Sequence, residues 1–129
     1  MTLSKFTLLS VAAAFTAVGT LSAYADAPPP ITTSDRIASI SAAGVKLGGF
    51  GVVSSAKIST GTYEVIFTRL VAKCVASVTV GQLSSTNVPT GGYGTAVQRG
   101  GNPRGIFVET FDTTGTSADQ PFMVHLGCF

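Results

Sequence analysis

The chain contains two cysteines, Cys74 and Cys128, and each sits in a run of residues that reads as a β-strand. Residues 61–81 read GTYEVIFTRLVAKCVASVTVG, and residues 121–129 read PFMVHLGCF. In the first run Cys74, Ala76, Val78 and Val80 share one side of a strand, with Val75, Ser77 and Thr79 on the other. In the second run Phe122, Val124, Leu126 and Cys128 share a side, opposite Met123, His125 and Gly127. Both cysteines therefore continue apolar faces, and an even count of two allows a single intramolecular pairing. The expected Cys74 to Cys128 disulfide, buried and structural, joins neighbouring strands or facing sheets. It closes a loop 54 residues long. In the chain-entropy model such a closure stabilises a fold by about 4 kcal/mol.

A persistent disulfide requires an oxidising compartment, and the first 25 residues supply a route to one. Lys5 gives a charged n-region, residues 6–21 are a mainly apolar h-region, and Ala23, Tyr24 and Ala25 form an A-x-A cleavage site. Thr7, Ser10, Thr16, Gly19 and Thr20 interrupt the apolar run, so a cleaved leader fits it better than a spanning helix. The expected mature chain is secreted, extracellular or cell-surface, or held in a periplasm, with no membrane span after cleavage. It comprises a Pro-rich linker at 26–36 and one domain at 37–129. The formal net charge is +2, Lys5 leaves with the leader, and the remaining basic residues are scattered singly. Nothing there points to nucleic acid or an anionic membrane surface.

Within the domain, residues 34–51 are rich in serine and glycine and read as extended or irregular chain. From Val52 onward the hydrophobic period is two. Val52, Ser54, Ala56 and Ile58 form one side of a strand, and Tyr63, Val65 and Phe67 alternate with Glu64, Ile66 and Thr68. Residues 106–111 carry apolar groups on both sides, Ile106 and Val108 on one and Phe107 and Phe111 on the other, which marks a face buried a second time. Asp112 and Gly115 stand at the first and fourth positions of a type I turn. The pattern predicts an all-β domain, a small antiparallel, jelly-roll-like β-sandwich with one disulfide. The stretch 82–105, rich in Gly, Ser and Pro, holds at most one short strand near Tyr93 to Gln98. A loop of that length is the first place to look for binding. Tyr93 offers a stacking face, and Arg99 and Arg104 offer donors to a surface glycan or protein partner.

The catalytic signals are weak. His125 is the only histidine, it stands in strand alternation, and no nucleophile elbow occurs. Glu64 and Glu109 are isolated among strand residues, and Asp112 and Asp119 have turn-forming contexts. The glycine clusters at 48–51 and 91–94 lack the helix and lysine of a phosphate loop. No C-x-x-C pair or Cys/His cluster is present, so no cofactor or metal site is expected.

Taken together, residues 61–74, the ASVTVG that follows, residues 106–128 and Gly51 to Ser55 resemble a poorly characterised bacterial and phage module. It is found at the C-terminal ends of tail-fibre-like and hypothetical surface proteins. Its pattern is G-x-Y-E-V-x-F-x-R-x-V-x-x-C, a Gly/Pro loop, then a T-x-D-x-x-G segment and a closing F and C. Gly61, Tyr63, Glu64, Val65, Phe67, Arg69, Val71, Cys74, Thr110, Asp112, Gly115, Asp119, Phe122 and Cys128 match, while Ala76 replaces an aromatic. The resemblance implies an extracellular β module in a structural, adhesive or host-recognition setting, assembled as a homo-oligomer such as a trimer, with no catalytic residues. The strand around Phe107 to Phe111 is the expected subunit interface. The alternative expectation is a monomeric extracellular glycan-binding protein, or a small inhibitor of an extracellular enzyme, working through Tyr93, Arg99 and Arg104.

Overall fold

The alternating runs of Tyr63, Val65 and Phe67, of Ile106 and Val108, and of Phe122, Val124 and Leu126 all turn inward and are fully or almost fully buried. A computed structural model of the chain describes residues 35–83 and 91–129. The expected leader, the proline segment up to residue 34 and the stretch 84–90 lie outside the described residues.

Eight strands follow in order: β1 Arg36–Ile40, β2 Lys46–Phe50, β3 Val52–Ser59, β4 Thr62–Phe67, β5 Cys74–Val80, β6 Tyr93–Gln98, β7 Gly105–Phe111 and β8 Phe122–Cys128. They form two four-stranded sheets of order β2-β1-β8-β5 and β3-β4-β7-β6, with every pair antiparallel. The all-β two-sheet expectation holds. The core lies between the sheets, where Tyr63 of β4 meets Phe122 of β8 at 4.8 Å between ring centroids and 56° between planes. The Tyr63 hydroxyl escapes the apolar interior by donating to the Ala42 carbonyl at 2.9 Å.

The chain changes sheets between β2 and β3 at Gly51, whose φ of +72° belongs to the left-handed region. A Cβ there would stand 1.9 Å from Cδ of Arg36. At the opposite edge β6 lies against β5. β8 thus returns beside β5 after β5, β6 and β7 have run in sequence, which is a Greek-key connection.

Three local expectations change. Within the stretch 34–51, Arg36–Ile40 and Lys46–Phe50 form the ordered hairpin β1-β2, and Arg36, assigned to the linker, already belongs to β1. Small side chains hide this hairpin in the sequence: Ser39 pairs with Gly48, and Leu83 lies over Gly48 from a distant segment. In β3 the alternation of Val52, Ser54, Ala56 and Ile58 is broken by irregularities at Val52 to Ser54 and Lys57 to Ser59, leaving Ile58 49% exposed on an edge strand. The Cys74–Cys128 disulfide is present and joins directly opposed residues of neighbouring strands β5 and β8. It faces the core but sits half-buried at the end of the sheet rather than deep inside.

Candidate functional site

Tyr93 opens β6, Arg99 follows its last residue, and Arg104 stands in the loop that leads into β7. Tyr93 and Arg99 are six positions apart, so both point to the outer side of sheet β3-β4-β7-β6, separated by about 20 Å of strand. The structure therefore places them on one face but at its two ends.

Their environments differ. Tyr93 stacks on its cross-strand partner Phe111, with centroids 4.9 Å apart and planes at 20°, and stays half exposed. Arg99 is committed within the chain. Its Nε donates to Oε2 of Glu64 at 2.8 Å, and its guanidinium lies 5.5 Å from the centroid of the Phe107 ring. This contact reaches from the end of β6 across β7 to β4. Arg104 is exposed, and its backbone N–H is held by Oδ1 of Asn102 at 3.0 Å.

Between the two ends the pairing register lays out successive rows. Tyr93 faces Phe111 in the first row. The second runs Thr95, Glu109, Thr62 and Ser59 across all four strands. The third runs Val97, Phe107, Glu64 and Ala56. The rings of Phe111 and Phe107 thus flank Glu109 along β7, separated from one another by about 13 Å. On β3 the paired positions of this surface are the small Ser59, Ala56 and Ser54, and on β4 they are Thr62, Glu64 and Ile66. Glu109 is partly buried, and no hydrogen bond or ion pair to its carboxylate occurs among the described residues. Sequence reasoning passed over Glu109, Thr95 and Thr62. The available signal was Phe107, Glu109 and Phe111 recurring every second residue.

Apart from Glu64, residues of the G-x-Y-E-V and T-x-D-x-x-G runs lie elsewhere and hold the fold. Gly61, at φ +66°, turns the β3-β4 hairpin where a Cβ would stand 2.6 Å from the Thr110 carbonyl oxygen. Its N–H donates to Oδ1 of Asp119 at 2.8 Å, and its carbonyl accepts from the Thr110 N–H at 2.7 Å. The Thr110 hydroxyl is buried and donates to the Ala118 carbonyl at 2.6 Å. Asp119 also pairs with Lys57. The Lys57 hydrogen bond, followed by the Gly61 N–H, holds the Asp119 carboxyl below its ordinary value. In the neighbouring turn Oδ1 of Asp112 accepts from the Thr114 hydroxyl and from the N–H groups of Thr114 and Thr116. These bonds, the Thr114 hydroxyl first, likewise lower the Asp112 pKa. Tyr63 beneath this corner is pushed up by burial and then by the Asp119 charge.

His125 is exposed on the outer side of the other sheet, 3.9 Å from Oδ2 of Asp35 and opposite Ser77. No hydrogen bond joins the His125 and Ser77 side chains. Among the described residues no group of three or more His, Cys, Asp or Glu side chains is placed to hold a metal ion, and no helix is long and apolar enough to cross a membrane. Compared with family models, curated proteins and solved structures, the chain matches none.

Proposed function

We propose that this chain is an exported, non-enzymatic adhesion or structural module that attaches through the outer face of sheet β3-β4-β7-β6. One observation carries the reading. Tyr93 with Phe111, and Val97 with Phe107 and the nearby Ile66, form two apolar patches flanking the Thr95 and Glu109 row, on a side of the sandwich where strands ordinarily present polar residues to water. Tyr93 and Val97 are 50% and 60% exposed and remain for a partner to cover. The other sheet also shows apolar groups outward. There Phe50 and Ile37 are separated from Val75 by His125, and Arg36 lies over the Phe50 ring.

The single disulfide suits an extracellular or cell-surface location. The resemblance of about Gly51 to Cys128 to tail-fibre-like modules adds an adhesive setting. A trimer presenting three such faces would gain avidity without any new contact. Light scattering at high micromolar concentration measures that part, and a strict monomer removes it.

The adhesion reading is tested with the fluorescently labelled chain 26–129 on intact bacterial cells and on purified cell-wall preparations. The expected result is saturable retention that Val97→Lys abolishes, lysine being well tolerated on an edge strand. Retention on no surface, or equal retention of the variant, overturns the reading.

A further inference from the structure

Resting on the adhesion reading, we propose that the ligand of this face is a neutral, hydroxyl-rich polysaccharide. It lies across the four strands along the row Thr95, Glu109, Thr62 and Ser59, with the Glu109 carboxylate accepting its hydroxyls.

Three features of the face select this chemistry. First, Glu109 is its uncompensated charge: Glu64 is neutralised by Arg99, whereas nothing among the described residues pairs with Glu109. A carboxylate has two oxygens and can accept from two hydroxyls at once, and such charge-assisted bonds are the stronger kind. Second, Glu109 is flanked along β7 by Phe107 and Phe111, the latter extended by Tyr93. Apolar rings beside a hydrogen-bonding row match a sugar, whose C–H faces are apolar and whose equatorial rim is polar. Third, Thr95, Thr62 and Ser59 continue the row to both sides with hydroxyls that donate and accept, over about 14 Å from β6 to β3. On β4 and β3 the row itself is made by the small Thr62 and Ser59.

The same features reject other occupants. A second copy packed face to face brings two Glu109 carboxylates towards one another in a drying interface, which is unfavourable. Nucleic acids and uronic-acid polymers meet the unpaired Glu109 carboxylate at the centre of the face with like charge. Arg99 gives no compensating attraction because it is already bound to Glu64.

Affinity electrophoresis of the folded chain 26–129 tests the proposal, in gels containing soluble amylose, dextran, mixed-linkage β-glucan or mannan, with polygalacturonate for comparison. At least one neutral polymer is expected to retard the protein, and polygalacturonate is not. Glu109→Ala should weaken the retardation about tenfold, and the near-isosteric Glu109→Gln should weaken it by a smaller factor, as expected when a charged acceptor becomes neutral. His125→Ala, on the opposite sheet, should behave as the native chain. Circular dichroism of each variant establishes that it is folded. Retardation by none of the neutral polymers, retardation by polygalacturonate alone, or full retardation of folded Glu109→Ala overturns the proposal. If cells retain the native chain while no neutral polymer does, the ligand assignment fails and the adhesion reading stands. Loss of both removes the two together.

Discussion

The turn corner around Gly61, Thr110 and Asp119 and the outer face around Glu109 meet on β7, yet their polar groups are treated in opposite ways. At the corner each polar group has a partner inside the chain: Asp119 with Gly61 and Lys57, Thr110 with Ala118, Asp112 with Thr114 and Thr116. On the face Glu109 has none among the described residues, and Tyr93 and Val97 stay open to solvent. Thr110 and Glu109 are adjacent in sequence and point to opposite sides of β7. The corner residues are therefore architecture, and the residues free to bind stand between them.

That contrast predicts a graded series of stability changes. The largest is expected on replacing both cysteines by serine, which should lower unfolding free energy by about 4 kcal/mol in denaturant titrations. A loss under about 1 kcal/mol would show that the corner and core hold the sheets without the bridge. Gly61→Ala comes next, with a loss of about 3 kcal/mol, because it combines a positive φ with a Cβ pressed on backbone at 2.6 Å. An unchanged midpoint would place the tight corner outside the native state.

Thr110→Val should cost about 1 to 2 kcal/mol by leaving the Ala118 carbonyl without its donor. The corner also sets an acid limit. Asp112 and Asp119 have folded pKa values below the ordinary 3.8. The stability they contribute is present above the unfolded value and is lost as the pH falls through the lower folded values. Stability should therefore be level near neutrality and decline below about pH 4, less steeply in Asp119→Asn. Equal acid profiles for the two chains would contradict the Asp119 assignment. The smallest effect belongs to the face: Val97→Thr should stay within about 0.5 kcal/mol of the native chain. A larger loss would mean that Val97 is part of the scaffold and would erase the contrast.

What could be read from the chain follows the same division. β4, β7 and β8 alternate cleanly between buried and outward residues, so Tyr63, Val65, Val108, Phe122 and Leu126 declare their faces without any structure. The hairpin β1-β2 does not, because Ser39 is buried by neighbours that come from elsewhere in the chain, and serine and glycine carry no hydrophobic period. Tyr93 was legible as an exposed ring. The pairing of Arg99 with Glu64 was not, since it spans 35 positions and two intervening strand registers. Glu109 looked isolated in sequence for the same reason: Thr95 and Thr62 become its neighbours only through strand pairing.

The bridge between Cys74 and Cys128 joins residues that are directly opposite in antiparallel strands. A slip of β5 by one residue would send its cysteine to the wrong side of the sheet, and a slip of two would carry it about 7 Å along the strand, beyond the reach of a disulfide. Oxidation therefore acts as an alignment pin. Once closed, it fixes Ala76 against Leu126, Val78 against Val124 and Val80 against Phe122, so the last pair of strands cannot be mis-threaded while the bond remains.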